Sequence, residues 1–330
     1  MPYMLRSIAK EAAAHVVSWT RLDAVAREHL HSKMPYIIGY HRVVDRFNVH
    51  ETFALPAMEI TTGMFEKHLD WLGKRFEFVS LDDLTMKMNR RARSKPLSAL
   101  TFDDGYREVF YNGFPLLRRK GIPASFFVIT DLVGTTEVPL HDRLYAVLSR
   151  AGIPNPFSAT QNLLRNHDYN NVLRMIESMD ADGEISRNAP AALHPLTWEM
   201  LVEMRDAGMT IGSHSKTHAF LTNESPERVW QEAEESRAVL QQKLGIDEDF
   251  FAYPGGDFNA AVVDAVHRAG YRLAFTVCRH RDARHPMLTI RRRGLWERSC
   301  VDRRGRFSAP IMSGHAAAMF SRFPDCPNHH

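Results

Sequence analysis

Two adjacent carboxylates close one apolar run, Thr101-Phe102-Asp103-Asp104-Gly105-Tyr106, and two histidines four apart follow another, Ile211-Gly212-Ser213-His214-Ser215-Lys216-Thr217-His218. Neighbours at the end of an extended strand point in different directions, so one carboxylate can ligate a cation while the other faces the bound water. Histidines at i and i+4 meet on one face of a helical turn, an arrangement that suits two imidazole ligands to one ion. Asp-Asp-Gly by itself is a common turn, and a lone His-x-x-x-His is often a surface pair. Taken together, Asp104, His214 and His218 form an N/N/O donor set with coordination positions left for water and substrate. That is the pattern of a catalytic metal site rather than a structural one.

Two further motifs end apolar runs in the same way. Phe250-Phe251-Ala252-Tyr253-Pro254-Gly255-Gly256-Asp257 runs into a Pro-Gly-Gly turn whose backbone N–H groups could face an oxyanion. Ile37-Ile38-Gly39-Tyr40-His41 puts His41 at the end of the first such run, where an imidazole titrating near neutrality is suited to general acid work. A lone histidine is more often structural. What argues for a role is that His41 shares its position with the other motifs.

The elements that must position these residues read as βα units between Pro35 and Arg306, each a short apolar run followed by an amphipathic helix. The spacing predicts strands over 36–40, 76–79, 99–102, 124–129, 210–213, 250–253, 273–277 and 288–290. It predicts helices over 63–74, 106–120, 197–207, 226–244 and 259–269. Gly121, Gly208, Gly245 and Gly270 stand where left-handed helix C-caps belong. The expectation is an α/β fold, a distorted (β/α) barrel of about seven strands, whose site gathers at the C-terminal ends of the strands. Residues 132–195 break the rhythm with a polar, helix-prone stretch, read as an insertion packed over one βα loop. The division expected is an amphipathic helical extension (1–34), the barrel (35–306) and a tail (307–330) whose last residues, FPDCPNHH, look disordered.

The 42 basic and 39 acidic side chains nearly balance, which argues against a nucleic-acid partner. Arg291, Arg292, Arg293, Arg303, Arg304 and Arg306 read either as a solvated face or as a contact for an anionic glycan, a lipid phosphate or a membrane surface. Three widely spaced cysteines, Cys278, Cys300 and Cys326, give no paired framework and suggest a reducing compartment. The N-terminus lacks the apolar core of ~7–15 residues that a secretion signal carries, and no stretch approaches the ~20 apolar residues of a membrane span. The expected location is therefore the cytoplasm or its membrane face. Leu5, Ile8, Ala12, Val16, Trp19, Leu22 and Val25 recur at helical spacing, to pack on the barrel or to meet a membrane peripherally.

From about Tyr36 to Arg293 the chain resembles the polysaccharide deacetylases of carbohydrate esterase family 4, the NodB-homology domain. TFDDGY is similar to the family's first motif, which implies Asp103 as catalytic base and Asp104 as metal ligand. HSKTH matches its His-Ser/Thr-x-x-His motif and implies His214 and His218 as the other ligands. Two features depart from the broad pattern: Ala252-Tyr253-Pro254-Gly255 replaces Arg-x-Pro-Tyr, and Leu288-Thr289-Ile290 lacks the late histidine. Here the chain resembles the poly-N-acetylglucosamine deacetylase branch, in which a Tyr-His near the start supplies the acid. That resemblance implies His41 as acid and the Gly255 N–H as oxyanion donor, with Arg292 a candidate to orient Asp103 and Tyr253 and Arg292 candidate substrate contacts.

The function so implied is metal-dependent removal of N-acetyl groups from N-acetylglucosamine-type residues of a polysaccharide or oligosaccharide, releasing acetate. The ion expected is one Zn²⁺, in a donor set that also accepts Co²⁺, Ni²⁺ or Mn²⁺. The rivals are deacetylation or deformylation of a lipid-linked sugar at a membrane surface, O-acetyl ester cleavage, and a glycan-binding barrel without activity.

Overall fold

The structure, a computed structural model, describes residues 2–32, 34–48, 52–88, 94–247 and 249–319. Cys326 and the end of the tail, on which the expectation of disorder falls, lie outside the described residues.

Parallel strands form a nearly closed barrel. Tyr36–Tyr40 pairs with Leu97–Phe102, and the ladder continues through Ala124–Val128, Thr210–Ser213, Phe250–Ala252 and Leu273–Thr276. The last stave is one extended stretch. Its Ile290–Arg291 half pairs with Leu273–Thr276, and its Arg293–Gly294 half pairs back onto Tyr36–Tyr40. Arg292 is the single residue between the two ladders, at the seam. The predicted strand over 76–79 shrinks to Glu77–Phe78, which pairs with the start of Leu97–Phe102 and adds no stave of its own.

The two faces of each strand separate cleanly. Ile37, Ala99, Phe127, Phe250, Ala252, Leu273, Phe275 and Ile290 pack into one apolar cluster, while Ile38, Tyr40, Leu100, Phe102, Phe126 and Ile211 pack with the surrounding helices. This alternation is the period-2 consequence of the pleat. Continued in steps of two to the ends of the strands, it puts His41, Asp103, His214 and Arg292 on the inward face at their C-terminal ends. Phe102 and Phe126 stack at 4.9 Å on the outward face, where truncating either to alanine would cost ~3–5 kcal/mol.

The helices Thr62–Gly73, Trp198–Asp206, Pro226–Leu244 and Ala260–Arg268 start at Thr61, Thr197, Ser225 and Asn259, whose side chains accept a first-turn N–H. Gly121 and Gly245 end theirs in the left-handed conformation. The helix predicted over 106–120 is not uniform: a π-turn, Val109–Gly113, precedes Phe114–Lys120. There Asn112 donates to the Val43 carbonyl, and a Cβ on Gly113 would stand 3.1 Å from Val43 Cγ2.

Residues 132–195 carry the helices Leu140–Arg150, Pro156–Asn166 and Tyr169–Met179, with a core of their own that includes Leu144, Val147, Leu164, Val172 and Ile176. The N-terminal helices Pro2–Trp19 and Leu22–His31 contact a helix, Ala309–Ala316, that lies within the stretch expected as a tail. His31 joins them by hydrogen-bonding the Ala316 carbonyl at 2.9 Å. Val16, Trp19, Leu22 and Val25 remain exposed. Among the described residues no helix is long and apolar enough to cross a membrane. Cys278 is disulfide-bonded, which removes the cysteine argument for a reducing compartment; pairing cannot be read from spacing alone.

Candidate active site

Asp103 and Asp104 follow directly on Leu97–Phe102. The Asp103 N–H donates to the Tyr40 carbonyl, which extends the barrel ladder by one bond. At Asp104 the chain turns left-handed, φ 66°, and the two carboxylates part. Asp103 meets Arg292 in a two-pronged contact, Nη1 to Oδ1 at 2.6 Å and Nη2 to Oδ2 at 2.5 Å. The guanidinium is itself held by Thr101 Oγ1 at 3.1 Å and lies over the Phe127 ring. Gly39 packs against the aliphatic stem of Arg292, where even a Cβ would stand in ordinary contact, 3.8 Å from Arg292 Cδ. His41 Nε2 lies 3.8 Å from Asp103 Oδ2, and its side chain is 28% exposed against 6% for Asp103, so it borders the open cleft.

Asp104 turns to the other side. Its Oδ1 lies 3.4 Å from His214 Nε2 and 3.3 Å from His218 Nε2, and one donor atom from each of the three residues falls within 4.8 Å of the others. Both oxygens of Asp104 are buried without a hydrogen-bond partner. His214 Nδ1 donates to the Ala252 carbonyl at 2.7 Å, which fixes the tautomer and turns the Nε2 lone pair towards Asp104. An anionic oxygen facing two imidazole nitrogens, with nothing between, is the donor set of a divalent cation; the residues fit such an ion.

The His214–His218 segment is not the helical turn its spacing suggests. Ser215 and His218 are left-handed, φ 64° and 66°, and this irregular turn brings the rings to a centroid distance of 4.8 Å. Side chains replace the missing helical hydrogen bonds. Ser213 Oγ accepts from the Ser215 N–H, Ser215 Oγ from the His218 N–H, and the buried Glu232 from the Thr217 N–H and hydroxyl. Of the six non-glycine residues with positive φ among those described, three stand in this site. Strain of this kind persists where the surroundings over-determine it, as around functional groups.

The charges follow the geometry. Burial pushes Asp104 up, but the imidazoles of His141, His214, His218 and His41 outweigh it and hold the carboxyl far below the usual range. His214 is lifted: burial lowers it, and Asp103 and Asp104 more than offset that. His218 is driven well down by burial and by His141 and His214, against the pull of Asp104, so it is held as the neutral imidazole a metal requires. His41 is lowered by burial, with Asp104 and Asp103 opposing.

These groups line one cleft of about 290 Å³, with Leu55, Met58, Phe157, Leu164 and Phe220 as apolar wall and Gly255 opposite. Gly255 has φ 64°, and a Cβ there would stand 2.4 Å from Phe220, so only glycine fits the turn. Tyr253, expected as a substrate contact, is fully buried and its hydroxyl donates to the Leu288 carbonyl at 2.9 Å. Its side chain packs and offers the cleft no polar group, because the strand's alternation turns it away from the inward face.

The sequence reading missed a group that the insertion brings to the site. His141 is buried, with its ring centroid 4.8 Å from that of His218 and Nε2 3.8 Å from Asp104 Oδ2. Tyr106 Oη links it, at 2.8 Å, to Asp142 Oδ2 at 2.6 Å. The available signal was the pair His141-Asp142 opening an amphipathic helix, Leu140–Arg150.

Residues 90–274, more than half of the chain, match the family model for polysaccharide deacetylase, and the chain belongs to that family. It is 24% identical to the poly-beta-1,6-N-acetyl-D-glucosamine N-deacetylase of Escherichia coli K12 over 76% of this chain and 36% of that protein. It is 20% identical to a Bacillus subtilis protein named as a polysaccharide deacetylase, over 74% of this chain and 64% of that one. The chain thus spans between about a third and two thirds of these relatives' own length. In fold it is similar to the Streptococcus pyogenes deacetylase PplD in complex with acetate (TM-score 0.55, 20% identity, 79% of this chain and 92% of that one). It is also similar to IcaB from Ammonifex degensii (TM-score 0.55, 19% identity, 86% and 96%).

Proposed function

We propose that the protein removes N-acetyl groups from N-acetylglucosamine-type residues of a polysaccharide, using a divalent metal ion, with Zn²⁺ the expected ion. The observation that carries this reading is the division of labour between neighbours: Asp103 is tied to Arg292, and Asp104 faces two imidazoles with both oxygens unpartnered. Asp104, His214 and His218 would hold the ion, which when bound supplies Lewis-acid polarisation of the acetamide carbonyl and a more acidic water.

The protein's own groups do the rest. Asp103, aligned by Arg292, takes the proton of the water that attacks the carbonyl carbon. The Gly255 N–H faces the developing oxyanion, a donor of a kind worth roughly 3–4 kcal/mol. His41, whose Nε2 lies 3.8 Å from Asp103 Oδ2 at the cleft, protonates the departing sugar amine, and acetate leaves. Leu55, Phe157 and Phe220 offer apolar surface to the acetyl methyl and the sugar ring.

Acetate release from N-acetylglucosamine oligomers, with and without chelator, tests this reading. Activity should vanish on metal removal and return with Zn²⁺ or Co²⁺; full activity in metal-free protein would refute it. A panel of O-acetyl esters run alongside separates amide from ester preference.

One observation favours a second reading, a lipid-linked sugar at a membrane surface: Val16, Trp19, Leu22 and Val25 of the N-terminal helices are exposed. Flotation with anionic liposomes decides it, since protein that stays with the soluble fraction would rule this reading out.

A further inference from the structure

We propose that a cationic cavity on the outer side of the barrel's last stave is a binding site for a phosphoryl group, held by Arg281, Arg291 and Arg293. The inference uses none of the metal-site residues and stands independently of the deacetylase reading.

Strand geometry assembles the cavity. Ile290 packs in the barrel's inner cluster and Arg292 reaches Asp103. The period of two therefore turns Arg291 and Arg293 outward together, about 7 Å apart along the stave. They border a cavity of about 170 Å³, whose wall also includes Arg281, Tyr36 and His31. Stretches far apart in sequence close it: the end of Leu22–His31 with the start of Tyr36–Tyr40, the loop at Arg281, the last stave, and the end of Ala309–Ala316. His31 fastens two of these walls, with its ring nitrogens 3.2 Å from the Met34 carbonyl and 2.9 Å from the Ala316 carbonyl. Arg281 is also fixed, since its Nη2 donates to the Pro286 carbonyl at 3.1 Å.

Among the described residues no carboxylate lines this cavity. The guanidiniums are left to repel one another: burial and Arg281 lower Arg291, and burial and Arg291 lower Arg293, with Tyr36 and Cys300 opposing. Tyr36 is 4% exposed, and its hydroxyl is buried without a hydrogen-bond partner. Crowded like charges beside an unpartnered hydroxyl are relieved together by one multivalent oxyanion. A phosphoryl group is the match, because it carries up to about two negative charges at neutral pH, and its oxygens accept from several guanidinium edges at once. Two sources offer that chemistry, a soluble phosphate and the headgroup of an anionic phospholipid. Leu30, which lines the cavity, is exposed together with Leu22 and Val25 of the same helix, which gives the lipid source an apolar surface beside the site.

Calorimetric titration of the full chain with inorganic phosphate, in chloride buffer at constant ionic strength, measures the site. Co-sedimentation with phosphatidylcholine vesicles, with and without phosphatidic acid, separates the two sources. The proteins compared are wild type, the double variant Arg291→Gln/Arg293→Gln, Arg291→Gln alone, and the control pair Arg303→Gln/Arg304→Gln, which removes the same charge outside the cavity.

Phosphate should saturate one site per chain, and the double variant should bind it at least about tenfold more weakly, the scale of losing one hydrogen bond to a charged group. Arg291→Gln, at an exposed position, should lose about three- to tenfold and carries the test should the double variant fail to fold. The control pair should stay within about twofold of wild type. Vesicle binding that requires phosphatidic acid and is lost in the double variant assigns the site to a lipid headgroup; phosphate binding without it assigns the site to a soluble phosphate. Either supports the proposal. It is overturned if wild type shows neither saturable phosphate binding over chloride nor dependence on phosphatidic acid. It is overturned equally if the cavity variants bind like wild type, or if the control pair loses as much as the double variant.

Discussion

Asp103 and Asp104 are neighbours in sequence, both buried, and live in opposite surroundings. Asp103 has a fixed cation, with both oxygens taken by one guanidinium. Asp104 has none, with both oxygens unpartnered amid His141, His214 and His218. The strand's alternation sends the two side chains to different sides, and the chain leaves the strand through a left-handed Asp104, φ 66°. The comparison shows how one strand end can serve two purposes: a carboxylate fixed by a guanidinium suits a base, and one set against two imidazoles suits a cation's ligand.

The largest effect that would break this contrast is at Asp104. Asp104→Ala should abolish Zn²⁺ binding and lower kcat/KM by at least about 10³-fold, on the scale of removing one member of a catalytic unit. Metal content by elemental analysis and acetate release check it, and retained stoichiometric metal would erase the distinction. Asp103→Asn should leave the metal stoichiometry intact and lower kcat by ~10²–10⁴-fold; an equal loss of metal would mean that both carboxylates serve the ion.

Arg292→Met sharpens the other half. Removing one partner of a buried ion pair costs ~3–5 kcal/mol, and a base left out of position can lose about 10²-fold in rate. Urea unfolding and single-turnover kinetics should show both, with Zn²⁺ affinity little changed.

The smallest effect uses an imidazole away from the site. His68 is buried, and burial pushes its imidazole down to about 3. It is neutral when folded and titrates near 6.5 when unfolded, so the unfolded state binds the extra proton between those values and stability falls as pH falls below about 6.5. Between pH 7 and pH 5 this amounts to roughly 2 kcal/mol, a loss that a His68→Leu variant should not show. Equal pH dependence in both proteins would mean His68 is not held neutral by burial. His214, lifted by its two carboxylates, is the counter-example that makes the point.

Much of the site was legible because barrel strands deliver residues at a fixed point: an apolar run that stops at a polar residue marks the rim, as at Asp103, His214 and His41. Asp104 was legible from composition, but the backbone that turns it was not, since nothing in Asp-Asp-Gly distinguishes an ordinary turn from a left-handed ligand. His-x-x-x-His misled on local structure, because i, i+4 spacing fits a helical turn and also the irregular turn found here, which Ser213, Ser215 and Glu232 hold. The two-pronged grip of Arg292 on Asp103 depends on residues 189 positions apart. Three consecutive arginines gave no sign which would face inward until the strand's alternation was set. His141 went unread for a related reason: the insertion does not follow the barrel's rhythm, so no strand end pointed to it.

Arg292 occupies the one position between the ladders that close the barrel. Its place has a consequence for the order in which the protein matures. Chains are synthesised from the N-terminus at ~5–20 residues per second, so Asp104, His214 and His218 leave the ribosome seconds before Arg292 does. On the proposed reading, the residues that would hold the ion are complete while Asp103 still lacks its support. On that reading the metal ligands would come together before the base is supported, and closure of the barrel and completion of the base would be one event.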